Sequence, residues 1–255
     1  MMARSTWYSF SGVFLVLLIW AVITYGGIID PLFLPSPTDV IMAAGDEIKE
    51  GVFFSDIGVS FYRILMGFLI STALALPIGV MMGTSKAWEA FWEPLVGLVR
   101  YMPAVAFIPL SILWFGTTDL QKFFILFLGI FFQKVIMVAD NCKTVNRSLV
   151  EVGLTLGFSR LEIIRDIILK SAMPGIVDTL RTTWGWAWTY LVVAELVAAS
   201  EGLGFRIMQA QRYLDTDRII VGILVIGILG LITDLLFKYA YIRLFPWKES
   251  ERIKG

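Results

Sequence analysis

Residues 151–176, EVGLTLGFSRLEIIRDIILKSAMPGI, crowd Glu151, Arg160, Glu162, Arg165, Asp166 and Lys170 into one short amphipathic stretch. What such groups could do is bounded by what the chain lacks. It has no histidine, which removes Ser/His and Cys/His nucleophile pairs, histidine metal sites and imidazole proton relays together. Cys142 is the single cysteine, so an intramolecular disulfide and a thiolate zinc cluster are excluded, and the residue reads as small packing. Carboxylate or lysine chemistry is left. A paired-carboxylate enzyme would need Glu195 and Asp234 at one depth of the fold.

The elements that must position these residues are membrane helices. Of the 255 residues 58% are hydrophobic and 16% charged, against roughly 25% charged in soluble domains, and the mean hydropathy is +0.79. A span needs about 20 apolar residues. Such runs cover about 10–29, 59–83, 94–115, 120–139, 176–199 and 219–241, which predicts an all-α, polytopic protein of about six spans in one domain, residues 1–255. The first run competes with a signal peptide, but it is longer than a signal core of roughly 7–15 residues and ends in Tyr25-Gly-Gly-Ile-Ile rather than a small-residue cleavage site, so a retained span is favoured. The third contains Pro103 and Pro109 and is expected to be kinked or broken within the bundle. Between the first two spans, Ser36, Pro37 and Asp39 predict the start of a short surface helix.

With both termini in the cytoplasm, Arg4, Lys86, Lys143, Arg147, Arg160, Arg165, Lys170, Arg243, Lys248, Arg252 and Lys254 fall inside, and Lys49, Arg63, Lys122, Arg206, Arg212 and Arg218 outside. This satisfies the positive-inside rule and makes about 141–175 a cytoplasmic loop. A net charge of zero without basic clusters argues against nucleic-acid partners. Ser148 with Glu151, and Ser159 with Glu162, match the capping-box pattern, and Gly157 between them suits a left-handed helix end. Leu161, Ile164, Ile167 and Ile168 form one apolar stripe of the second helix. Such a helix–turn–helix is suited to dock in a groove of another protein, or to lie on lipid or under the bundle.

Glu151-Val-Gly153, three residues, Gly157, then Ile167-Ile-Leu169 resembles the Glu-Ala-Ala coupling loop of permease subunits of binding-protein-dependent ABC importers. Val152 and Gly153 replace the alanines and Lys170 stands at the motif's proline, with Pro174 four residues on. LPSPTDV, IPLSILWFG ending at Gly116 and VVAELVAASEGLGFRI (192–207) resemble the nitrate, sulfonate, taurine and bicarbonate branch.

The resemblance implies a type I importer fold in the bacterial inner membrane, with two permeases, two cytoplasmic ATPase subunits that bind ATP and Mg, and an extracytoplasmic solute-binding protein. It implies that Glu151, Gly153, Gly157, Ser159 and Glu162 belong to the ATPase-coupling element. The chain has no Gly-x-x-x-x-Gly-Lys-[Ser/Thr] phosphate loop, so no cofactor is expected in it, and a homodimer is the economical assembly.

Ionisable and aromatic residues within the spans are candidates for the path. Glu195, in LVVAELVAAS, reads as holding a helix or gate rather than selecting solute. Arg100 and Arg181 would suit an anion or simply snorkel. Trp184 and Trp188 share a helix face, as a gate or as packing, and Asp234 and Lys238 can pair one turn apart. The expectation is a small polar or anionic solute moved by alternating access. A transporter driven by an ion gradient is the rival, and it leaves the 141–175 loop unexplained.

Overall fold

The computed structural model describes residues 2–51 and 53–247, and among them there are helices and no strands. Lys248, Arg252 and Lys254, counted above on the inner side, lie outside the described residues. Helix α1 spans Met2–Tyr25 and the surface helix α2 Pro37–Lys49. The long helices are α3 (Phe53–Thr84), α6 (Asp119–Lys143), α9 (Leu169–Ala198) and α11 (Thr216–Leu244). Between them lie α4 (Lys86–Val99), a 3-10 turn at Ala104–Phe107, α5 (Ile108–Phe115), α7 (Arg147–Thr155), α8 (Arg160–Glu162) and α10 (Leu203–Tyr213).

The start of α2 is as expected. The Ser36 hydroxyl accepts from the Asp39 amide, the Asp39 carboxylate accepts from the Ser36 amide at 3.0 Å, and Pro37 opens the helix. Trp20 Nε1 donates to Pro35 O at 3.0 Å, joining α1 to this linker.

α6 forms the axis, with α3 along one side and α9 along another. In lipid the hydrophobic effect does not drive helices together, and small residues that let backbones approach do the work instead. On α3, Gly67, Gly79 and Gly83 face α6, and a Cβ at Gly79 would lie 2.7 Å from Val138 Cβ. At the α6–α9 contact a Cβ at Gly129 would lie 2.5 Å from the Tyr190 ring. Ile64, Phe68, Leu126, Ile130, Trp184 and Leu191 fill the space among the three helices.

α3, α6 and α11 are long and apolar enough to cross a membrane, and the bent pair α4 and α5 makes a fourth if taken as one span. The predicted third span is broken: α4 and the Ala104–Phe107 turn with α5 meet at 80°. Pro103 restricts Met102 to extended backbone, which stops α4, whereas Pro109 sits in the first turn of α5 and is accommodated. The 30 residues of α9 are about 45 Å long, but Lys170, Asp178, Arg181 and Glu195 interrupt its apolar surface. Helices overrun the apolar runs, with α3 beginning at Phe53 rather than Val59, because helix propensity continues past the residues that match lipid.

Candidate functional site

The loop between α6 and α9 is ordered by local hydrogen bonds. Asn146 caps α7, its side chain accepting from the Ser148 amide at 2.9 Å. The capping box predicted for Ser148 and Glu151 is therefore not formed. Asn146 already satisfies the Ser148 amide, and Glu151 is left exposed, 3.7 Å from Arg147. At the far end the Gly157 amide donates to Leu154 O and the Phe158 amide to Gly153 O, each at 3.0 Å, with Gly157 at φ +83°. This is the Schellman closure, as the glycine predicted.

The second box is formed. Glu162 Oε2 accepts from the Ser159 amide at 2.8 Å and the Ser159 hydroxyl at 2.6 Å, and these bonds hold the Glu162 carboxyl below its ordinary range. From here the chain does not make a separate helix. α8 passes through a π turn at Ile163–Ile168 directly into α9. The wider turn shifts the register, so the predicted stripe is corrected: Ile163 is buried, whereas Leu161 is 73% exposed.

A Cβ on the buried Gly153 would run into Ile167 Cδ1 and lie 3.7 Å from Ile163 Cγ1. Gly153 thus lets α7 press onto the π turn, a physical role for the position where the motif has alanine. Asp166, between Arg165 at 2.7 Å and Lys170 at 2.9 Å, is held at about 2 by those partners. The outward face of the segment carries Leu149, Val152, Leu154, Leu156 and Leu161, all exposed, beside Glu151 and Arg160.

At the other end of α9 the polar groups are buried and bonded across the chain. Arg63 of α3 reaches Asp119 at 2.6 Å, Glu195 at 2.9 Å and the Glu201 carbonyl at 2.8 Å. Ser60 donates to Glu195 at 2.9 Å while accepting from the Leu203 amide, and the Gly204 amide donates to Glu195 Oε2 at 2.9 Å. Asp56 accepts from the Gly202 amide at 2.7 Å and pairs with Arg206. Lys122 donates to the Thr117 and Ala198 carbonyls, both at 2.6 Å.

α3, α6, α9 and α10 are tied at one place. Gly202, at φ +104°, brings backbone so close that a Cβ would sit 2.5 Å from Glu195 Oε1. The sequence had singled out Glu195 alone and counted Arg63 and Lys122 as outer charges; both are buried in this cluster. Asp56, Ser60 and Arg63, spaced at i, i+4 and i+7 on one face of α3, were the missed signal.

The remaining candidates separate. Arg100 is exposed at the break after α4, bonded to the Tyr101 hydroxyl at 2.6 Å. Trp184 and Trp188 are buried in the α3–α6–α9 core, Trp184 edge-on to Phe68. Asp234 pairs with Arg181, at 2.7 Å through Nη2, rather than with Lys238, since a guanidinium fork can grip both carboxylate oxygens. Arg181, which holds Asp234, and Glu195 are about 21 Å apart along α9 by helix rise, so the two acids do not converge. Lys134 in mid-α6, absent from the sequence-based candidates, is buried with Thr72 Oγ1 at 2.8 Å.

Residues 75–245 match the family of binding-protein-dependent transport system inner membrane components, and the chain belongs to that family. It is a permease subunit of an ABC importer, a multi-pass inner-membrane protein that works with ATPase and solute-binding partners. Over 92% of the chain it is 34% identical to the putative aliphatic sulfonates transport permease protein SsuC of Bacillus subtilis (strain 168), covering 85% of that protein. Over 96% of the chain it is 30% identical to the taurine transport system permease protein TauC of Escherichia coli (strain K12), covering 91% of it. A chain of the MetNI methionine ABC transporter, solved in an inward-facing conformation, superposes with a TM-score of 0.64 at 18% identity, over 78% of this chain and 96% of that one. That likeness gives the fold, and the type I permease fold expected from the loop motif is the one found.

Proposed function

We propose that two copies of this chain form the path for a small sulfonate-like solute, polar or anionic, and that α7 and the π turn after it couple the path to two ATPase subunits. In this reading six spans place both termini and the 147–168 segment in the cytoplasm, and the Arg63–Glu195 cluster outside, toward the solute-binding protein. Closure of the ATPases on ATP pulls the segment, and α8 carries the movement into α9 because no loop separates them. The solute side rests on the names of the relatives, one for aliphatic sulfonates and one for taurine.

The observation that carries the proposal is the outward face of α7: Val152, Leu154 and Leu156 exposed around Glu151, on a helix fixed by caps at both ends. Glu151 takes the docking contact. Gly153, Gly157, Ser159 and Glu162 hold the shape that presents it. Glu195 positions α9 against α3 and α10. Arg100 and the Trp184–Trp188 face border the path, the tryptophans becoming accessible only if α3 and α9 separate.

The test is capture of the cognate ATPase by the tagged permease in detergent. Glu151→Ala and Gly157→Val are expected to lose capture at least tenfold while inserting normally. Wild-type-like capture by both would sink the coupling assignment.

A further inference from the structure

Other buried cations of the bundle lie in or beside a cluster that contains acids, Lys122 donating to two carbonyls at the edge of the Arg63 cluster. Arg63 has Glu195 and Asp119, and Arg181 has Asp234. Lys134 is different. It lies 15 residues into α6 and nine from its end, about 22 and 14 Å by helix rise, with none of its surface exposed. Its Nζ donates to Thr72 Oγ1 at 2.8 Å and lies 3.9 Å from the centre of the Phe68 ring. Among the described residues no carboxylate stands within ion-pair distance of it.

The groups nearby do not supply negative charge. Trp184 and Trp188, packed in the same core, have ring N–H donors without acceptors, and the Ser71 hydroxyl beside Thr72 is likewise unbonded. A buried ammonium is costly, and a methionine would fill the same volume at no such cost. Charge inside a low-dielectric bundle is little screened and its potential falls only as the reciprocal of distance. A buried cation therefore acts on a passing solute without touching it.

We propose that Lys134 is a specificity-determining residue: its amine, one per copy and without an acid beside it, takes or holds a proton as an anionic solute passes, and so lowers the barrier to a solute of net negative charge over a zwitterion of similar size. This rests on the transport reading above. It places selection partly in the permease rather than wholly in the binding protein.

The test uses the complete importer in proteoliposomes, with ethanesulfonate as anion and taurine as zwitterion, and ATP hydrolysis measured in parallel. Lys134→Met is expected to lower ethanesulfonate uptake about tenfold, corresponding to about 1.4 kcal/mol, and taurine uptake about twofold, with ATP hydrolysis retained. Lys134→Arg keeps the charge and should keep the wild-type ratio. Thr72→Asp leaves Lys134 in place but neutralises it, and should reproduce the methionine variant, which covers the case where Lys134→Met does not assemble. Equal loss of both solutes, an unchanged ratio in the methionine and aspartate variants, or an arginine variant no better than methionine overturns the proposal. If the wild type carries neither solute although it binds its ATPase, the solute reading falls and this inference with it.

Discussion

The two ends of α9 handle polar groups in opposite ways. At the start of the helix, the 147–168 segment satisfies itself locally: Asn146 with Ser148, Ser159 with Glu162, and Asp166 with its neighbours Arg165 and Lys170. Its outward face is left free. At the far end, Asp56, Arg63, Glu195 and Arg206 bond across three helices in pairs more than 130 residues apart in sequence, and most are buried. A local arrangement can keep its shape while moving as a unit against a partner. A cluster that draws on α3, α9 and α10 holds only while those helices keep their mutual positions.

Breaking the buried end should therefore have the largest effect. Arg63→Met leaves Glu195 buried with its bonds to Ser60 and Gly204 but without a cation, and should cost about 3–5 kcal/mol. Thermal unfolding in detergent is expected to show a lower midpoint and early release of α10. A midpoint within a degree of wild type would mean that the cluster does not hold the helices.

At the exposed end, Gly153→Val drives a branched side chain into Ile167 and Ile163, with an expected cost of about 1–3 kcal/mol. The loss should be confined to the segment, so hydrogen exchange rises in α7 while the α3–α6 contact keeps its protection. Smaller still is the cap. Asn146→Ala should cost about 1 kcal/mol of α7 stability, whereas Ser148→Ala should cost nothing measurable. Equal effects from the two would restore the capping box that the serine and glutamate suggested.

The smallest effect is titration of Asp166. Its folded-state value is lowered from 3.8 to about 2 by Arg165 and Lys170. A depressed acid contributes stability above its unfolded value and loses it as pH falls through the folded value. The protection of amides 163–170, after division by the intrinsic exchange rate at each pH, should therefore be flat above about pH 4 and fall between there and about pH 2.

The sequence showed most where the physics is local. The Ser36 cap, the Ser159 box, the left-handed Gly157 and the break near Pro103 each depend on neighbours within a few residues, and each is present in the structure. It showed less where partners are distant or register changes. Glu195 was conspicuous as an acid in an apolar run, but its partner Arg63 was counted only as an outer-side charge: the Asp56, Ser60, Arg63 spacing marks a polar face of α3 without showing which residue, 132 positions away, it meets. The stripe through Leu161 failed because a π turn does not keep the 3.6-residue period. Ser148 lost its cap to an equally good residue two positions earlier.

The central claim is that the 147–168 end, and not the buried end, meets the ATPase. The most direct measurement is cross-linking of single cysteines on the permease to a cysteine on the ATPase surface, with the buried Cys142 as background. Glu151→Cys is predicted to cross-link in an ATP-dependent manner, and Ser200→Cys beside the buried cluster to give no product. A product from Ser200→Cys, or none from Glu151→Cys in an assembly that still hydrolyses ATP, would contradict the account.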